Sequence, residues 1–218
     1  MNKMARVAGV LFLVSSSAYM IGSSLLDQVL NRPDFLANLY SDRANVFSGT
    51  LLELVNAIAV VAIAMLLYPI LKKHNEAFAL GYFGSRVVES ALLFLSAAIP
   101  LVLVKLSDSY ATAGTAEHSF FNTLGSLLLE VHDVLFQVAM IVLGIGSLLL
   151  CQVLYRSRLV PRWLSVIGFI GYAALLASSC LAILGQDTGS VLFVPGAIFE
   201  VVFPIWIIVK GINKKSCD

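Results

Sequence analysis

The sequence predicts an all-α polytopic membrane protein, a six-transmembrane-helix bundle. Three observations carry this. Of the 218 residues, 59% are hydrophobic and 12% charged, with a mean hydropathy of +0.92; an ordinary soluble domain carries about 25% charged residues. A chain this apolar cannot keep a water-facing surface, so a soluble globular protein is excluded. Six apolar segments are each long enough to cross about 30 Å of hydrocarbon at about 1.5 Å per residue. Lysine and arginine collect at alternate connections, as they do in spanning proteins. The whole chain, 1–218, reads as a single transmembrane domain. A net charge of +1 leaves no bulk electrostatic case for nucleic-acid binding.

The first apolar run, Val7 to Leu30, exceeds the h-region of a signal peptide and reads as an uncleaved helix. A polar loop, NRPDFLANLYSDR, follows. The second span is Ala44 to Leu71, ending at KKHNE. The third is Phe78 to Val104, with Pro100 near its far end. KLSDSYATAGTAEH, rich in small and polar residues, reads as a loop. The fourth is Phe121 to Tyr155, ended by RSRLVPR. The fifth is Trp163 to Leu184, followed by GQDTGS. The sixth is Val191 to Ile212, and the tail is NKKSCD. Cys151, Cys180 and Cys217 show no C-x-x-C spacing, which argues against a disulfide framework or a thiolate metal site. Cys217, beside Lys214 and Lys215, reads as a free tail thiol.

Orientation follows from the basic residues. One side holds Lys3, Arg6, Lys72, Lys73, Arg156, Arg158, Arg162, Lys210, Lys214 and Lys215; the other holds Arg32, Arg43 and Lys105. Arg86 lies inside a span. The bias predicts cytoplasmic N- and C-termini, and Tyr155 and Trp163 suit the interface on that side.

The polar residues inside the spans are the candidate site. GSLLLEVHDVLFQ, from Gly125 to Gln137, sets Ser126, Glu130, Asp133 and Gln137 on one helical face, with His132 pointing elsewhere. A charged group within a span costs about 2.5–3.5 kcal/mol on insertion scales, so such a stripe normally faces a bundle interior or a wet cavity. Glu53 and Asn56 share a face on the second span, and Arg86 and Glu89 share one on the third, where they could pair. GTLLELVN, SLLLEVHD and GAIFEVVF each place a small residue one turn before a glutamate, Glu53, Glu130 and Glu200. This suggests three helical hairpins in series, with the three glutamates at a common outer depth. Pro204, one turn after Glu200, frees a backbone carbonyl near it.

Three functional classes are compatible with these residues. The leading expectation is an outward-facing acidic pocket binding an ion or small polar ligand, transporter-like or sensor-like. Its ligand-binding residues would be Glu53, Asn56, Arg86, Glu89, Glu130, Asp133, Gln137 and Glu200. Glu130, Asp133 and Glu200 are the candidate ligands for a divalent cation, since carboxylates favour hard ions. The second class is an intramembrane metal-dependent enzyme acting on a lipid or isoprenoid. Against it stand the absence of H-E-x-x-H and of G-x-S-x-G, and a single intramembrane histidine, His132; His74 and His118 fall in loops. The third class is a structural or partner-binding protein whose polar groups pair with one another. Expected partners are the lipid bilayer, an unidentified small ligand and a second copy of the chain. The glycine pairs Gly144 and Gly146, and Gly168 and Gly171, read as sites of close helix packing.

Several stretches carry a family resemblance. VNAIAVVAIAMLLYPILKKHNEAFALGY, RVVES, LVPRWLSVIGFIGY and VPGAIFEVVFPIWIIVKGIN together resemble the bacterial membrane family of domain of unknown function 4386. The most specific pieces are LVPRWL at 159–164 and FEVVFP at 199–204. Arg86, Glu89, Pro161, Arg162, Trp163, Glu200 and Pro204 lie on the matching stretches. The resemblance spans the second to sixth helices and implies a bacterial inner-membrane protein of several spans, with no established reaction.

Overall fold

The structure, a computed structural model, describes residues 2–114, 117–186 and 189–213. It contains α1 (Asn2–Leu30), a short α2 (Phe35–Leu39), α3 (Arg43–Leu71), α4 (Glu76–Thr112), α5 (His118–Ser157), α6 (Arg162–Ile183), a 3-10 turn (Gly189–Phe193) and α7 (Val194–Val209). No strand occurs among the described residues. Six helices are long and apolar enough to cross a membrane: α1, α3, α4, α5, α6, and the 3-10 turn continuing into α7. The tail from Lys214 to Asp218, with Lys215 and Cys217, lies outside the described residues.

Local chemistry sets the helix ends. Asn75 caps α4, its side-chain oxygen accepting from the Phe78 N–H at 2.9 Å, and Glu76 adds an acid to the first turn. α5 stops where Arg158 turns left-handed at φ 53°. Pro161 then caps α6, a position that does not require the N–H proline lacks. Beyond α7, Gly211 takes φ 71°, so the sixth span is shorter than hydropathy suggests.

The spans form a closed ring in chain order. α1 packs on α3, α3 on α4, α4 on α5, α5 on α6, α6 on α7, and α7 returns to α1. Tyr82, Tyr172, Phe199 and Phe203 are fully buried, and the Phe199 and Phe203 rings stack at 5.0 Å. Met20, Ile58, Met65, Leu95 and Ile170 lie on the outside, a lipid-facing belt that water would not tolerate. Between helices, small residues permit close approach. A Cβ on Gly22 would lie 2.9 Å from the Gly49 carbonyl oxygen, and one on Gly171 would lie 2.7 Å from the Gly196 backbone. Gly144 backs onto Leu176, Gly146 onto Ser85 and Gly168 onto Cys151 and Phe199.

Two loops read from hydropathy are helical. Lys105 to Thr112 continues α4, because polar residues without glycine or proline do not end a helix; hydropathy marks the membrane boundary, not the helix boundary. NRPDFLANLYSDR contains α2, whose buried Leu36 and Leu39 pack toward the extended part of α4. There Ser107 Oγ donates to the Leu36 carbonyl at 2.6 Å and accepts from the Tyr40 N–H at 3.0 Å. At about 1.5 Å per residue, α4 and α5 reach roughly 55 and 60 Å. They therefore project past the hydrocarbon at the end away from the termini, here the distal end.

Candidate functional site

A cavity of about 650 Å³ lies in the distal half of the bundle. α1 contributes Tyr19, Ser23 and Asp27; α3 contributes Glu53 and Asn56; α4 contributes Leu93 and Ser96. α5 contributes His132, Asp133, Val134, Phe136 and Gln137, and the end of α6 closes one side with Ala182, Ile183 and Gly185. Among the described residues three carboxylates line it, and no lysine or arginine does. Tyr19 and Phe136 stack across it, ring centroids 5.7 Å apart and planes within 4°. Ser15 Oγ donates to Asn56 Oδ1 at 2.5 Å, joining α1 to α3 beneath the cavity wall. Gln137 Oε1 is buried and has no hydrogen-bond partner among the described residues.

On α5 the structure corrects the orientation read from spacing. His132 faces the bundle: its Nδ1 lies 3.0 Å from the Ser96 carbonyl and 2.9 Å from Ser96 Oγ, while Ser96 Oγ donates to the His132 carbonyl at 3.2 Å. Glu130 is exposed and lines no part of the cavity. Spacing gives the angle between Glu130, Asp133 and Gln137 but not the direction in which their common face points. Packing turns α5 so that His132, Phe136 and Gln137 face the bundle, with Asp133 exposed at the edge of the cavity.

Arg86, Glu89 and Glu200 form a separate, deeper cluster. Arg86 Nη1 sits 3.1 Å from Glu89 Oε1 and 2.9 Å from Oε2, and Nη2 donates to Ser147 Oγ at 3.3 Å. Arg86 and Glu89 are both buried, and the guanidinium lies 5.3 Å from the Tyr82 ring centroid. Tyr172 donates its hydroxyl to Glu200 Oε1 at 3.4 Å, and Glu200 interacts electrostatically with Arg86. Pro204 leaves α7 without the N–H that would bond the Glu200 carbonyl.

The three glutamates of the repeat pattern differ in depth and surroundings. Measured along the helices from Lys72, Arg156 and Lys210, Glu53, Glu130 and Glu200 lie about 28, 39 and 15 Å away. Only Glu200 is near the middle of a 30 Å core. Glu130 lies beyond that core, which is why its exposure carries no burial cost. The first and third hairpins share the pattern of a glycine contact followed by a glutamate one turn on, through Gly49 and Gly196. In the second hairpin Ser126 is exposed instead.

The structure does not bring Glu130, Asp133 and Glu200 together. No group of three or more His, Cys, Asp or Glu able to hold a metal forms among the described residues. It does unite Glu53, Asn56, Asp133 and Gln137, and adds Tyr19, Ser23, Asp27, Ser96 and His132. Part of that addition was readable: Ser15, Tyr19, Ser23 and Asp27 recur every four residues, one polar stripe on α1. Ser96, a lone serine in an apolar run, gave no such signal.

A family model described as a domain of unknown function (DUF4386) matches residues 7–211. The chain belongs to the DUF4386 family. Neither the curated proteins nor the solved structures contain a match to it. The DUF4386 match takes in all six spans, and with them both the distal cavity and the Arg86 cluster.

Proposed function

We propose that this membrane protein binds a small cation or cationic solute in the distal cavity, as a transporter or sensor would. The observation that carries the reading is the charge of the lining: among the described residues it holds Asp27, Glu53 and Asp133, with His132 the only basic side chain and no lysine or arginine. Carboxylates converging in a concave, partly apolar site focus a negative potential that a cation relieves. The volume falls within the range of about 300–1,000 Å³ usual for small-molecule sites. The stacked Tyr19 and Phe136 offer aromatic faces of the kind that attract ammonium groups. Asn56, Gln137 and Ser23 supply neutral hydrogen-bonding groups. Arg86 and Glu89 neutralise each other, and we assign them to holding the bundle rather than the ligand.

The metal-dependent enzyme reading receives less support. His132 Nδ1 is within hydrogen-bond distance of both the Ser96 carbonyl and the Ser96 hydroxyl, and that hydroxyl also reaches the His132 carbonyl. These contacts link α4 to α5, and no group of three or more His, Cys, Asp or Glu able to hold a metal forms beside them among the described residues.

The experiment is calorimetric titration of the protein in nanodiscs with sodium, magnesium, calcium and small alkylammonium salts. At least one should bind. Asp133→Asn and Glu53→Gln should each weaken it about tenfold or more, and Glu130→Gln should not. Equal losses at Glu130 and Asp133, or no binding across the panel, would sink the reading. On the basic-residue bias we also propose that the distal end faces away from the cytoplasm of a bacterial cell, across its inner membrane.

A further inference from the structure

The end of the bundle that carries the termini holds a second cavity, of about 370 Å³, built from residues the distal site does not use. Arg158, Arg162, Lys210 and Trp206 line it over a floor that includes the buried Leu159 and Ile212. Its shape is set by the backbone. The chain leaves α5 through the left-handed Arg158, and the segment after α7 turns back at Gly211. The Asn213 N–H then donates to the Leu159 carbonyl at 3.0 Å, tying the two segments together. Among the described residues no carboxylate lines this cavity, and Arg158, Arg162 and Lys210 take part in no ion pair. Arg158, Arg162 and Lys210 are exposed around one concavity; water and salt screen part of their mutual repulsion, and an anion among them relieves the rest.

Two further features point the same way. α6 begins at Arg162, so its unpaired first N–H groups face this end of the bundle, where a helix favours an anion. Trp206 meets Trp163 edge to face at 5.9 Å, and the Arg162 guanidinium lies 5.2 Å from the Tyr155 ring centroid. Such aromatic and basic side chains at the end of a span sit at the level of lipid headgroups.

We infer that this cavity binds a phosphate-bearing anion at headgroup depth. Arg158 and Arg162 offer planar forks that match phosphate oxygens, and Lys210 adds a point charge. A lipid phosphodiester and free phosphate share this chemistry, and the experiment separates them.

Full-length protein is stripped of lipid in a neutral detergent and then offered phosphatidylglycerol, phosphatidylcholine or inorganic phosphate. Native mass spectrometry reads bound lipid, and thermal unfolding reads stabilisation. Wild type should retain phosphatidylglycerol in preference to phosphatidylcholine. Retention should fall about tenfold or more in the double variant R162Q/K210Q. It should persist in R162K/K210R, which keeps the charge, and in R156Q, which removes a cation at the same end outside the cavity. Stabilisation by inorganic phosphate that R162Q/K210Q abolishes, without lipid retention, identifies free phosphate as the source. Equal retention of the two lipids by wild type, with no response to phosphate, overturns the inference, and this comparison stands even if R162Q/K210Q does not fold. Unchanged phosphatidylglycerol retention in a folded R162Q/K210Q overturns it as well.

Discussion

Arg86 and Glu89, one turn apart on α4, close a two-pronged ion pair in the middle of the bundle: Arg86 Nη1 lies within 3.1 Å of both Glu89 carboxylate oxygens. The side chains are 5% and 2% exposed, so neither charge has water to fall back on. Removing one partner of such a pair typically costs about 3–5 kcal/mol, whereas replacing both by apolar groups is often neutral. Glu89→Gln should therefore destabilise the protein strongly, and Arg86→Met with Glu89→Leu should recover most of the loss. Denaturant titration in detergent measures both. If the double variant is as unstable as the single one, the pair is doing more than neutralising itself.

Gly49 and Gly84 make a matched comparison. A Cβ on Gly49 would lie 2.9 Å from the Gly22 carbonyl oxygen and 2.9 Å from Leu26 Cγ; one on Gly84 meets nothing within 4 Å. Gly49→Ala should force α1 from α3 and cost about 1–3 kcal/mol. Gly84→Ala, in open space within a helix, should add up to about 1 kcal/mol through helix propensity. Thermal unfolding of the two variants side by side reads the opposite signs; equal effects would mean that α1 and α3 do not meet at Gly22.

Ser96 and His132 join α4 to α5 through reciprocal side-chain and backbone contacts. A double-mutant cycle on Ser96→Ala and His132→Ala should return a coupling of about 0.5–2 kcal/mol. A fluorophosphonate probe for activated serines should leave Ser96 unlabelled. Labelling at that residue would revive an enzymatic reading of the cavity.

Depth is testable by chemical access. In a cysteine-free background, Asp133→Cys should react with a membrane-impermeant maleimide applied to the distal face, because Asp133 is exposed at the distal cavity. Ser147→Cys should not react, since that side chain is fully buried beside Arg86. Labelling of Asp133→Cys from outside intact cells would also establish the orientation; labelling only after the membrane is opened would reverse it.

The amino-acid sequence alone determined the class and the count. Six apolar segments between polar breaks specify six spans, because the bilayer admits only helices and closed barrels, and continuous apolar runs of about 20 residues are spanning helices. The spacing of Arg86 and Glu89 on one helix equally required them to be neighbours. Two things depended on tertiary packing. The rotation of α5 about its axis brought His132 and Asp133 into the cavity and left Glu130 outside, because spacing defines relative angles and only neighbouring helices define a facing direction. The length of α5 beyond the hydrocarbon placed Glu130 outside the core and apart from Glu53 on α3 and Glu200 on α7, because hydropathy registers where the lipid ends and not where a helix does. The stripe first legible in GSLLLEVHDVLFQ thus divides, with Asp133 and Gln137 lining the distal cavity and Glu130 outside it.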